Sequence, residues 1–264
     1  MMTQGKLALI TGASSGIGEA TAKAIAQKAG RVVLVARTAS NLEKVAQEII
    51  EAGGKAEFFA IDLSQPEAVS ELAHKVIGEI GVPDILVNNA GAGRWITIEK
   101  TEAAELEQMM ALPYFAAFNL TRELLSHMRD RGSGHIVNVT SVAARLIWPG
   151  AAGYAAARAA MVTFSKALET ETRGSGINVT LAMFGKVSSP FWRHNPGSED
   201  HLPKVNAYLP TLSTQEVADA IVRAVERNAR TIVLPRIFRF LFLLNSLTPR
   251  TTSRVLRSGW KNST

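Results

Sequence analysis

Two groups of residues in this chain of 264 have the types and the spacing to do chemistry. One is the run Thr11-Gly12-Ala13-Ser14-Ser15-Gly16-Ile17-Gly18, which follows an apolar, strand-like segment and opens a helix-like one. Such a loop presents free backbone amides at a helix N-terminus, where a pyrophosphate would meet them, and its glycines let the phosphate come close. The other is Tyr154 with Arg158, four positions apart on the alanine-rich stretch from Ala151 to Ala160, a spacing that sets both side chains on one face of a helix. A tyrosine, with an ordinary pKa of about 10, holds a phenolate near neutral pH only beside a cation. Arg158 carries that charge.

Other chemistries lack their parts. There is no cysteine, which excludes disulfides, thiolate metal sites and thiol nucleophiles and points to a reducing compartment. The five histidines, His74, His127, His135, His194 and His201, form no close i, i+4 pair or acidic motif, so structural or solvated roles are expected and no metal is. No Gly-x-Ser-x-Gly elbow is present, which sets a serine hydrolase aside. The net charge of +6 would hint at nucleic acid, but six basic residues and no acid lie between Arg236 and Lys261, leaving 23 basic and 23 acidic residues elsewhere. The charge marks a basic tail, and no nucleic-acid partner is expected. The first strand-like run begins at Leu7, leaving no room for a signal peptide, so a cytoplasmic protein is expected.

The elements that must position these groups are legible as alternation. Apolar, β-branched runs at Leu7 to Ile10, Val32 to Val35, Ala56 to Ile61, Ile85 to Val87, Ile136 to Val139, Ile177 to Leu181 and Thr231 to Leu234 read as seven strands. Helical apolar spacing lies between them, as in Glu19 to Lys28, Asn41 to Glu51, Glu67 to Glu79 and Thr214 to Asn228, which is the pattern of parallel β-α-β units. The expected fold is a Rossmann-type, doubly wound α/β sheet in one domain, residues 1–235, followed by a basic, apolar tail, residues 236–264. Ser188 to Leu212 is the least regular stretch, and its place after a strand end makes it a candidate substrate lid.

The glycine spacing Gly-x3-Gly-x-Gly, together with motifs at successive strand ends, resembles the short-chain dehydrogenase/reductase family over about residues 5 to 235. The resemblance implies that Gly12, Ser14, Ser15, Gly16, Ile17 and Gly18 hold a nicotinamide dinucleotide. Asp62 and Leu63 would contact adenine, and Asn88-Asn89-Ala90-Gly91 would lie beside the adenosine ribose. Ser141 and Tyr154, thirteen residues apart, match the active site of the family: Ser141 positions a carbonyl oxygen and Tyr154 gives it a proton. Gly185 and Val187 would flank the nicotinamide. At the end of the second strand, where an acid would bind the ribose hydroxyls of NAD, stand Arg37 and Thr38. A guanidinium there, helped by Ser14, suits the 2′-phosphate of NADP(H).

Three positions depart from the family. Arg158 replaces a lysine, keeping the charge but losing a group that can bind the nicotinamide ribose and pass protons. Pro113 replaces an asparagine that helps hold a relay water; a proline brings a kink and no side-chain amide. Phe184 replaces a proline, while Ser189 stands in for threonine. The resulting expectation is an NADP(H)-dependent carbonyl reductase, a homodimer or homotetramer, with a bulky lipophilic ketone or alcohol as substrate, as Phe191-Trp192 suggests. The alternative is a cofactor-binding protein whose relay has decayed. The tail, with Arg236-Ile237-Phe238-Arg239-Phe240-Leu241-Phe242-Leu243-Leu244 between Pro235 and Pro249, is open to three readings: peripheral contact with an acidic membrane, a cover over the substrate entrance, or subunit packing.

Overall fold

Residues 5–28, 30–198, 202 and 207–258 are described by a computed structural model. In chain order the elements are β1 (Leu7–Thr11), α1 (Gly16–Ala26), β2 (Arg31–Ala36), α2 (Ala39–Glu51), β3 (Lys55–Ala60), α3 (Pro66–Glu79) and β4 (Ile85–Asn88). There follow α4 (Ala103–Met110), α5 (Ala116–Arg131), β5 (Gly134–Ser141), α6 (Ala152–Glu171), β6 (Ile177–Phe184) and β7 (Val187–Ser188). The chain continues with α7 (Phe191–His194), β8 (Leu212–Ser213), α8 (Thr214–Glu226), β9 (Thr231–Leu234), α9 (Ile237–Leu247) and α10 (Pro249–Arg257).

Seven strands form one parallel sheet in the order β3-β2-β1-β4-β5-β6-β9. The inner strands are apolar on both faces because helices cover both. On one side α1, α2 and α8 bury residues such as Ile25, Leu42 and Ile221 against the sheet; on the other, α3, α5 and α6 bury Leu72, Leu124 and Leu168. Burying each such side chain contributes about 1.5–3 kcal/mol. The edge strands β3 and β9 are more exposed than the inner ones, and Arg31 of β2 forms an ion pair with Glu57 of β3 at 2.6 Å. The strand order reverses between β1 and β4, opening a crevice at their carboxyl ends.

Two local features differ in form from the sequence expectation. β6 continues three residues past Leu181, to Phe184, because Phe184 pairs with both Ser141 and Leu234. At Pro113 the irregularity is a stretch of π-helix, Ala111–Phe115, in which Ala116 N–H bonds the Ala111 carbonyl five residues back. A π-helical turn accommodates a residue that donates no hydrogen bond of its own.

After β9, α9 and α10 are packed on the domain. Phe238 and Phe242 of α9 are 2% and 5% exposed, and with Leu256 of α10 they join a cluster containing Trp95, Trp148 and Tyr154. Lys261, at the end of the tail, and His201, in the lid stretch, lie outside the described residues.

Candidate active site

A cavity of about 600 Å3 opens over the carboxyl ends of the central strands, where open parallel sheets bind ligands. Its first end is made of backbone. Gly12 and Gly16 hold φ of 65° and 61°, a conformation that favours glycine. A Cβ on Gly12 would come within 2.9 Å of Asn89 Nδ2, and one on Gly18 within 2.2 Å of the Gly12 carbonyl oxygen. Ser15 caps α1 without a side-chain hydrogen bond, so the first-turn amides are left for a ligand. The Thr11 hydroxyl accepts from Asn89 N at 3.0 Å and Ala90 N at 2.9 Å, and Asn89 Nδ2 donates to the Thr11 carbonyl at 2.9 Å. These bonds clamp the loop after β1 to the loop after β4.

Gly12, Ser14, Ser15, Gly16 and Ile17 line the cavity, with Asn89, Ala90 and Gly91 across from them. Gly18 does not line it, and serves as the point where α1 meets the loop backbone. Arg37 and Thr38 are exposed at the mouth, with Asn41 beside them. Leu63 lines the same end, but Asp62 does not. The Asp62 carboxylate accepts from Ser64 N at 3.0 Å, and this bond, with a smaller contribution from Arg37, holds its carboxyl below the ordinary range. Asp62 is thus engaged in the turn that leads to α3.

The second end brings together Ser141, Tyr154 and Arg158, all lining the cavity. Ser141 closes β5, and its Oγ accepts from Ala143 N at 3.1 Å, leaving its own proton to donate. The Thr140 hydroxyl donates to the Arg158 carbonyl at 3.0 Å, tying the end of β5 to α6. Beneath, Asn88 Nδ2 donates to Asn138 Oδ1 at 2.8 Å, and Asn138 Nδ2 to Ser165 Oγ at 3.0 Å. This buried chain ties β4, β5 and α6 to one another beneath the site, although Asn88 Oδ1 at its head has no hydrogen-bond partner.

Tyr154 is 8% exposed and Arg158 6%. The guanidinium carbon lies 4.8 Å from the centroid of the Tyr154 ring. It also lies against Gly91, where a Cβ would come within 2.6 Å of Arg158 Nη2. Arg158 Nε is buried without a hydrogen-bond partner, and a buried guanidinium donor left unpaired is costly. The site therefore offers a glycine cradle with open amides at one end and an unpartnered cationic donor at the other. Those features fit a dinucleotide laid across the sheet from the α1 N-terminus to Arg158.

The remaining wall is aromatic. Trp95 stacks on Trp148 with centroids 5.7 Å apart and lies 5.9 Å from Tyr154, which in turn meets Phe191 at 6.0 Å. The buried Ser198 hydroxyl accepts from Trp95 N at 2.9 Å, pinning the segment after α7 to the loop after β4. Gly185 and Val187 also line the cavity. Phe238 closes the wall from α9, so near that a Cβ on Gly185 would come within 2.8 Å of its ring. Sequence reasoning missed Trp95, Trp148 and Asn41, and reached Phe238 only through the reading of the tail as a cover over the substrate entrance. The two tryptophans carried a usable signal, since both lie in loops past strand carboxyl ends.

Residues 6–199 match the short chain dehydrogenase family. A fatty acyl-CoA reductase of Acinetobacter baylyi is 36% identical over 87% of this chain and 76% of that protein. A fatty acyl-CoA reductase of Mycobacterium tuberculosis is 35% identical over 96% of this chain and 84% of that protein. Among solved structures, a metagenomic short-chain oxidoreductase in complex with NADP is 30% identical and superimposes with a TM-score of 0.72, covering 85% of this chain and 92% of that one.

Proposed function

This chain belongs to the short-chain dehydrogenase/reductase family, and from that premise we propose that it is an NADP(H)-dependent carbonyl reductase acting on a lipophilic ketone or another long-chain carbonyl. The observation that carries the reading is the placement of Tyr154, held between the Arg158 guanidinium and an aromatic wall in a cavity it shares with Ser141. Arg37 at the mouth, with no carboxylate at the end of β2, supports a 2′-phosphorylated cofactor. The NADP complex of the metagenomic relative is in keeping with that choice. The aromatic wall favours an apolar substrate, and the names of the two fatty acyl-CoA reductases favour an acyl chain.

Bound in the cavity, the cofactor supplies hydride from C4 of its nicotinamide. Tyr154 gives its phenolic proton to the substrate oxygen, and Ser141 donates a hydrogen bond to the same oxygen. Arg158 holds a fixed positive charge over the ring that becomes phenolate. Since a guanidinium does not deprotonate, Arg158 does not carry the proton onward, and Tyr154 regains its proton from water.

The reading is tested by incubating the full chain with NADPH deuterated at C4 and a panel of long-chain ketones, aldehydes and acyl-CoA thioesters. The expected result is a product carrying one deuterium per NADPH consumed. NADPH bound but unconsumed across the panel would favour a second reading, a cofactor-binding protein without turnover, which Arg158 and the missing amide at Pro113 both support.

A further inference from the structure

Two faces of α9 do different things. Phe238 and Phe242 point into the domain, whereas Phe240, Leu243 and Leu247 are 56%, 56% and 70% exposed. At 3.6 residues per turn the latter three fall on one stripe, opposite the buried pair. Arg236 and Arg239 flank that stripe and are exposed. α10 packs beside α9 and carries Arg250, Arg254 and Arg257 at i, i+4 and i+7, all exposed, which makes a second stripe of charge. Next to α9, Arg145 lies 4.5 Å from the Phe242 ring centroid, and the neighbouring Ile147 is 55% exposed. Glu226 is the last acidic residue of the chain, so no acid from the tail itself tempers the patch.

We propose that the outward face of α9 and α10 docks on an anionic phospholipid surface. Exposed Phe and Leu beside arginines is the composition of a helix that lies in the membrane interface, the apolar side chains entering the acyl boundary and the arginines meeting headgroup phosphates. Charge complementarity selects this occupant over a second copy of the chain, because a two-fold interface would set the same arginines against themselves. No described helix is long and apolar enough to cross a membrane, which limits the contact to the surface. Phe238, on the inner face of the same helix, lines the cavity, so the element that meets lipid is also a wall of the site. The docking itself does not depend on the reaction proposed above.

The test is co-sedimentation of the full chain with vesicles of phosphatidylcholine alone or of an equimolar mixture with phosphatidylglycerol, at low and high salt. Two triple variants run alongside, Phe240→Ser/Leu243→Ser/Leu247→Ser and Arg250→Gln/Arg254→Gln/Arg257→Gln, with NADPH binding and size-exclusion elution as checks of folding and assembly. Expected is sedimentation with the anionic vesicles only, weakened roughly tenfold or more by high salt and by either variant, with elution unchanged. Protein that stays in the supernatant with anionic vesicles overturns the proposal. So does sedimentation indifferent to both variants, or a serine variant whose sole effect is to split an oligomer, which would make the face a subunit interface. None of these readouts requires turnover, so they fail or succeed apart from the proposed chemistry.

Discussion

Between β1 and β4 the cavity wall is backbone: glycines at positive φ, open amides, and loops clamped by Thr11 and Asn89. Around Tyr154 the wall is side chains, with Trp95, Trp148, Phe191 and Phe238 arriving from four separate segments. The first region leaves little room for an added atom at Gly12 and Gly18, and uses few side chains beyond glycine, several hydroxyls and the Asn89 amide. In the second, shape depends on large rings whose backbones impose little. A phosphate chain common to all nicotinamide dinucleotides suits the former, and a variable apolar substrate suits the latter.

The sharpest break should come from Gly18→Ala, whose Cβ would meet the Gly12 carbonyl at 2.2 Å. Since backbone cannot yield as a flexible side chain does, NADPH affinity should fall on the order of a thousandfold, about 4 kcal/mol, as read by calorimetry. In the aromatic region, Phe238→Ala should cost about 3 kcal/mol of unfolding free energy through the void it leaves. It should raise KM for apolar substrates while leaving NADPH affinity nearly unchanged; equal loss of both would dissolve the distinction between the two regions.

A third site lies outside both. His135 is the second residue of β5, near the opposite end of the strand from Ser141, and its Nε2 is 2.7 Å from Thr180 Oγ1. Burial pushes its pKa down to about 4. The folded protein therefore binds fewer protons there than the unfolded chain, so stability from this residue is present above an unfolded pKa of about 6.5 and is lost as pH falls toward 4. Denaturant titrations should show about 2 kcal/mol lost from this group by pH 5, an effect absent from His135→Gln. The smallest expected effect is Arg37→Ser, which should reduce the preference for NADPH over NADH about tenfold.

The same contrast governs what the sequence disclosed. All seven strands of the sheet were readable, because short apolar runs separated by stretches of helical spacing leave a clear alternation, even at the more exposed edge strand β3. The glycine loop, Ser141, Tyr154 and Arg158 were readable because their spacing is local and tied to strand and helix ends. Asp62 was placed correctly in the chain, but its carboxylate is occupied by the Ser64 amide, a preference for local turn bonding that spacing cannot reveal. Trp95 and Phe238 belong to one cluster although more than a hundred residues separate them, and no local pattern records such a meeting. The form taken by the helix at Pro113 was hidden for a related reason: proline announces a disturbance, but neighbouring packing decides whether it becomes a kink or a π-helical turn.

The most direct measurement is NADPH oxidation by the full chain, Tyr154→Phe and Arg158→Lys side by side, with a long-chain carbonyl and with NADPH affinity measured in each. The account predicts turnover in the parent that falls by roughly 10²–10⁴ in Tyr154→Phe at unchanged NADPH affinity, the loss expected of a positioned general acid. Turnover absent from the parent and appearing only in Arg158→Lys would contradict it, and would mark the chain as a cofactor-binding protein that gave up its chemistry at that one position.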